Sequence, residues 1–323
     1  MKILAVQNRM GIGDMIIFLP FIEAISKKFN SPVSILVKQN TKSSEILKNN
    51  SCIDKIIFLD RNDRAKEGRH FGFFGTLNLA SDIKKYNFDK VFIFNSSLRF
   101  RLIMKIAKIK DIYQYKLFDK KKQNIIKVAQ DFLKKSINLD VESKPTILIS
   151  PKDINEASIK YNIVKKKINI LLGIGGSGDT KRVSAEKYLE FIKLCVKNYE
   201  CKFFLATGKN FEEQEILKKI LNSNFNNYCK ALDDLTISET LPIIKNCNLA
   251  VCNDTSFSHL SAALEIETIV LMTDSPLLYG NYNPKMHPIM PDGEKTVTHN
   301  TLGKDKINPD KIFDKMKEIL NLS

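Results

Sequence analysis

An aspartate, Asp14, stands where a glycine-rich turn runs into a helix in "MKILAVQNRMGIGDMIIFLPFIEAI". Ile3 to Val6 form a short apolar run of strand type, and Gly11-Ile12-Gly13 reads as a turn. Met15, Ile16, Phe18, Leu19, Ile22 and Ile25 then recur at roughly helical spacing. A βα turn of this kind normally offers its helix N-terminus to an anion. A carboxylate there repels a phosphate, so Asp14 either caps the helix or has another task.

Two further segments carry usable chemistry. In "GIGGSGDTKR", Gly175, Gly176 and Gly178 let the backbone approach an anion closely, Ser177 and Thr180 offer hydroxyls, and Lys181-Arg182 bring positive charge. Exposed amides with one or two cations suit a diphosphate, although an ordinary solvated turn has the same composition. In "CNDTSFSHLSAALE", Asn253, Asp254, Thr255 and Ser256 form a loop at the carboxyl end of a strand, with Ser258 and His259 opening the next helix. Ligands of open α/β sheets bind at that edge. Thr255 and the helix amides can donate to phosphate oxygens, while Asp254 can hold sugar hydroxyls or cap the helix. His259 is either a ligand contact or a partly buried ring bonded to backbone.

Neither glycine turn is a nucleotide fingerprint. Ile16 stands where the third glycine of GxGxxG belongs, and the next strand ends in Lys38-Gln39 rather than in an acid for a ribose. The Walker spacing is absent from the second turn. A nicotinamide-dependent oxidoreductase rests on the glycines alone.

The elements that must position these residues fall into two similar halves. Strand-like runs at Lys2–Val6, Val33–Val37, Lys55–Leu59 and Lys90–Phe94 alternate with helical stretches at Ile16–Phe29, Ser43–Lys48 and Thr76–Tyr86. A long helical stretch then runs from Leu98 toward Asn138, broken near Tyr113–Asp119, and "VESKPTILISPKDINEAS" reads as an edge strand followed by a connecting helix. "KINILLGIGGSGDTKRVSAEKYLEFIKLC" restarts the pattern of strand, glycine turn and helix, with Ser184 at the N-cap. Strands at "CKFFLATG", "NLAVCND" and "TIVLMTD" and a last amphipathic helix after Asn308-Pro309 complete it. The expected fold is α/β, with two doubly wound Rossmann-like domains facing across a cleft. The boundary is expected near Tyr161–Lys167, giving domains 1–162 and 163–323, with the last helix free to pack back on the first.

The chain has 323 residues, 43% hydrophobic and 27% charged, which fits a globular protein with a sizeable core. No apolar run reaches the ~20 residues of a membrane span, and Gln7-Asn8-Arg9 interrupts any signal-like start, so a cytoplasmic location is expected. The six cysteines form no CxxC pair and no metal-ligand spacing with the four histidines; reduced, mostly buried thiols and no metal are expected. The net charge of +15 points to an anionic partner. No motif with interleaved stacking aromatics speaks for nucleic acid, which leaves an anionic substrate or an acidic membrane surface.

"GIGDMIIFLPFIEAI", "GSGDTKRVSAEKYLEF" and "LTISETLPIIKNCNLAVCNDTSFSHLSAALEIETIVLMTDS" together resemble the family-9 glycosyltransferases, the ADP-heptose:lipopolysaccharide heptosyltransferases. The resemblance covers most of the chain in the right order and is strongest in the C-terminal half. It implies a GT-B fold and a metal-independent, inverting transfer of a sugar from a nucleotide diphosphate, expected to be ADP-linked, without a cofactor. The acceptor would be a lipopolysaccharide core or related surface glycan, with peripheral contact to the inner membrane. By position, Asp14 matches the catalytic aspartate and Lys181 a lysine on the donor phosphate. Asp254, Thr255, Ser256 and His259 match the donor loop, with Gly175, Gly176, Ser177 and Thr180 beside it. Gly13, Asn95 and Arg99 would line the acceptor side. The chain departs from the family pattern at Ser256, usually glycine, and at Val183, usually tryptophan; it has no tryptophan at all. An epimerase or hydrolase of nucleotide sugars on the same fold, or a binding protein without catalysis, are the alternatives.

Overall fold

The computed structural model describes residues 1–117, 124–176 and 178–322. They form two compact units, Met1–Pro145 and Thr146–Ser323. The division falls earlier than the expected 162/163 boundary. The segment after Pro145 is anchored in the second unit, where Ile147 N donates to Ala263 O at 2.8 Å, and the helix Pro151–Lys160 packs on the helix Ile237–Lys245.

The first unit holds a five-stranded sheet of order β3-β2-β1-β4-β5, all neighbours parallel. Its strands are β1 (Ile3–Val6), β2 (Val33–Val37), β3 (Ile53–Phe58), β4 (Lys90–Ile93) and β5 (Asp111–Gln114). The central strands "ILAV" and "VSILV" are buried at every residue, as helices on both faces require. The helix Ile12–Phe29 is buried almost all round, from Met15 through Ile25, and ends on Asn30 in the left-handed conformation. Leu4, Val6, Leu79, Ile83, Val91, Phe100 and Ile103 fill the core on the other face.

The second unit holds six parallel strands in the order β11-β10-β9-β6-β7-β8. These are β6 (Ile168–Gly173), β7 (Cys201–Ala206), β8 (Cys229–Ala231), β9 (Leu249–Asn253), β10 (Thr268–Leu271) and β11 (Met286–Ile289). Its core includes Val183, Tyr188, Phe191 and Phe203. Ile312 and Met316 of the last helix, Pro309–Leu320, belong to that same core, with the helix packed on Ala185–Asn198. The last helix is therefore part of the second unit.

The strands depart from the sequence expectation at four places. β5 interrupts the supposed long helical stretch; the end of the expected break, Phe118 and Asp119, lies outside the described residues. The expected edge strand within Val141–Ser150 is irregular chain, the stretch in which the chain passes from the first unit to the second. β8 and β11 are short edge strands that give no apolar run, the first with an exposed lysine at its centre and the second with His287 and Pro288 between its buried ends. All six cysteines are free thiols, four of them buried.

In each sheet the chain winds outward in one direction and then returns to wind in the other. The reversals fall between β1 and β4 and between β6 and β9. Loops leaving neighbouring strands diverge at such a point and open a crevice at their carboxyl ends.

Candidate functional site

The loops singled out in the sequence sit at these two reversals. In the first unit Gly11 occupies the N-cap position of the helix Ile12–Phe29 with φ +100°, a conformation L side chains rarely adopt. Asp14 is therefore the third helical residue and not the cap; among the described residues its side chain makes no bond to a backbone N–H. Its nearest partner is Arg9, whose Nε lies 3.1 Å from Oδ1, and the Asp14 side chain is 21% exposed. Burial raises the Asp14 pKa, and the Arg9 charge offsets only part of this.

The loop after β4 is tied to the loop after β1, for Asn95 Nδ2 donates to Asn8 Oδ1 at 3.0 Å. Asn95 in turn receives the Ser97 N–H on its Oδ1 and the Gln114 amide on its carbonyl. Arg99 donates to Thr76 Oγ1 at 2.9 Å and to the His70 carbonyl, leaving Nη1 buried without a protein partner. Gly13 is half-buried beside Asp14. Sequence reasoning missed three neighbours of this edge. Both amide atoms of Gln7, Oε1 of Gln114 and the Tyr115 hydroxyl are buried with no protein partner. All three residues end or follow β1 or β5, and no local pattern marks them. On the other side of the sheet a pocket of about 310 Å³ opens past β2 and β3, lined by Lys38, Asn40, Asp60, Arg61, Asp63 and Arg64.

In the second unit, Asn253 at the end of β9 joins the two loops of the reversal. Its Nδ2 donates to the carbonyls of Ile174 and Gly175 at 3.1 and 3.0 Å, and its Oδ1 receives the Tyr188 hydroxyl at 2.9 Å. Lys181 Nζ lies 3.2 Å from Oδ2 of Asp254, a carboxylate only 3% exposed. His259 places Nε2 3.9 Å from the other Asp254 oxygen, and its Nδ1 meets the Tyr282 hydroxyl at 3.0 Å. Burial lowers the His259 pKa; the Asp254 charge opposes this and the Lys181 charge adds to it. The ring is neutral at physiological pH, with Tyr282 held as the neutral phenol by burial.

Thr255 precedes the helix Ser256–Ala263, and its Oγ1 is buried with no protein partner. A Cβ built on Gly176 would press on Arg182 Cγ at 3.1 Å and touch the Thr255 methyl and Lys181 Cβ at 3.5 Å each. Thr180 belongs to the short 3-10 turn Asp179–Lys181. Arg182 braces its own turn, donating to the Gly176 carbonyl and pairing with Asp179, so Lys181 is the cation left facing Asp254. Ser177 lies outside the described residues.

Glu213 escaped sequence reasoning. It is 7% exposed, accepts the Gly176 N–H, and lies against Gly175 and Gly208, where any Cβ would collide with its carboxylate. It keeps acceptor capacity for hydroxyls. Oγ1 of Thr207 and Thr273 and Oγ of Ser275, following β7 and β10, are also buried without protein partners. Buried hydroxyls of this kind need a partner from water or from a ligand.

Of the two departures from the family pattern, Val183 is fully buried in the second core and Ser256 opens the helix without a positive φ. Among the described residues, no group of three or more His, Cys, Asp or Glu could hold a metal ion. No helix among them is long and apolar enough to cross a membrane.

Residues 77–306 match the model of glycosyltransferase family 9 (heptosyltransferase). The chain is 24% identical to lipopolysaccharide heptosyltransferase 1 of Campylobacter coli, over 94% of this chain and 93% of that one. Its fold is similar to that of E. coli ADP-heptose LPS heptosyltransferase II, with a TM-score of 0.75, 16% identity and 99% of both chains covered. It is also similar to E. coli heptosyltransferase WaaC with ADP, with a TM-score of 0.73 and 14% identity over 99% of this chain and all of that one.

Proposed function

Given that the chain belongs to glycosyltransferase family 9 and is a glycosyltransferase of the heptosyltransferase type, we propose that it transfers heptose from ADP-heptose to a lipopolysaccharide core or related surface glycan, with inversion and without a metal. The acceptor hydroxyl gives its proton to Asp14 as its oxygen bonds to the anomeric carbon. The bond from that carbon to the diphosphate breaks, and ADP leaves with the electron pair. Lys181, the Thr255 hydroxyl and the amides opening the helix Ser256–Ala263 meet the charge that develops on the leaving phosphate. Asp254 holds Lys181 in place, and the neutral His259 offers its ring to the donor. Gly13, Asn95 and Arg99 serve the acceptor.

The observation that carries this reading is Asp14 itself. It is free of capping duty, drawn out of water and raised in pKa, which strengthens a carboxylate as a base. The test is a thermal-shift panel of ADP, UDP, GDP and ADP-heptose, followed by proton NMR of the product's anomeric centre. A ligand at about 100 times its dissociation constant stabilises by about 2.7 kcal/mol. Selective response to ADP and ADP-heptose with an inverted product supports the proposal. Selective response to UDP or GDP replaces the donor, and a retained configuration removes Asp14 as the base in a single displacement.

A further inference from the structure

We propose that the outer faces of the neighbouring helices Gly72–Lys84 and Leu98–Ile106 form a docking surface for an anionic lipid bilayer. The second helix buries Phe100, Ile103 and Met104 in the core of the first unit. Its opposite side nevertheless carries Leu98, Leu102 and Ile106, 52%, 49% and 40% exposed and one turn apart. Helical amphipathicity alone predicts polar residues there. The first helix does the same with Phe73, Phe74 and Leu77, exposed by 74%, 77% and 42%. The two phenyl rings meet edge to face at 5.8 Å, outside the core. The helices lie side by side, joined by the bond from Arg99 to Thr76.

Charge selects the occupant. Between Asp89 and Asp111 the chain has no acidic residue; Arg99 is turned inward to Thr76 and His70, but Arg101, Lys105, Lys108 and Lys110 remain accessible. Asp82, the acid on the first helix, is already engaged by Arg69, His70 and Lys85. Two copies pairing through this face would bring like charges together. A bilayer with anionic headgroups accepts both components: the apolar side chains enter the acyl boundary while lysines reach the headgroups. Both helices start at the carboxyl ends of their strands, so Phe73, Phe74 and Leu98 lie on the sheet edge that carries Asn95. A lipid-anchored glycan would thus be met at the membrane by the edge proposed to receive it.

Co-sedimentation of the full chain with vesicles tests this. We expect binding to vesicles of phosphatidylcholine with phosphatidylglycerol, weaker binding to phosphatidylcholine alone, and loss at high salt. Phe73→Ser with Phe74→Ser, and separately Leu98→Ser with Leu102→Ser, should each lower the affinity about tenfold or more. Melting temperature and the thermal shift with ADP should stay as in the parent, which separates this inference from the transfer reaction. Equal binding to both vesicle types, or parental binding by the variants, overturns it. A concentration-dependent dimer abolished by the same substitutions also overturns it and assigns the face to a second copy.

Discussion

At the reversal of the first sheet Asp14 meets one cation, Arg9, and the amide of Gln7 and the hydroxyl of Tyr115 have no protein partner. At the corresponding reversal of the second sheet Asn253 spends both ends of its amide on neighbouring groups, and Lys181, Asp254, His259 and Tyr282 follow in a connected chain. The same topology therefore carries two electrostatic designs. The second edge is braced, as suits groups that must meet developing phosphate charge without reorganising. The first leaves a carboxylate poorly solvated and lightly held, as suits a group that must take up a proton. If this contrast is functional, substitutions at the first edge should harm chemistry, and those at the second should harm binding and stability.

The largest expected effect separates these outcomes most sharply. Asp14→Asn should lower transfer by about 10²–10⁴-fold, the usual worth of a general base, while the affinity for ADP in calorimetry stays near the parental value. Turnover within a few-fold of the parent would remove the base from the first edge and break the contrast. Next comes Asn253→Ala, which orphans the Tyr188 hydroxyl and releases two carbonyls. At about 1 kcal/mol per bond, plus the cost of the buried hydroxyl, it should destabilise by about 2–4 kcal/mol in urea titration. A loss below about 1 kcal/mol would mean that the bracing is decorative.

Lys181→Ala should weaken ADP binding by about 10–100-fold through loss of a charge-assisted hydrogen bond. It should also cost some stability, because Asp254 keeps a buried charge without its cation. Unchanged affinity would take Lys181 out of the phosphate site. Lys181→Arg sharpens the result, since a guanidinium preserves the charge while changing its geometry.

How far these designs could be read in advance differs between backbone and side chains. The repeated sequence of strand, glycine turn and helix made both Rossmann-like halves visible, because buried parallel strands such as "VSILV" are continuous apolar runs. The glycine turns and "CNDTS" fell at the reversals because catalytic edges in such sheets follow from topology. β5 stayed hidden: its four residues are all half-buried and lie in lysine-rich sequence that mimics a helix. Glu213, Gln7 and Tyr115 stayed hidden for another reason. Nothing in their local sequence reports that Glu213 will lie against two glycines from other segments, or that a glutamine will be sealed at the end of β1. Arg182 looked equivalent to Lys181 until the fold committed it to its own turn.

The smallest effect concerns His259 and tests whether the second edge is tuned for a ligand. Its folded pKa lies below the ordinary 6.5, lowered by burial and Lys181 and partly restored by Asp254. As pH falls through the unfolded value, the unfolded chain takes up a proton that the folded chain refuses. The stabilisation is therefore full above about pH 6.5 and declines below it, by at most about 1.4 kcal/mol per pH unit for one group. Urea midpoints measured between pH 7.5 and 5.5 should show this slope, and His259→Asn should reduce it. Bound ADP adds negative charge near the ring, opposes the lowering and should also flatten the slope. If ADP stabilises the protein equally at every pH in that range, the nucleotide phosphates do not reach His259, and its role is confined to holding Tyr282.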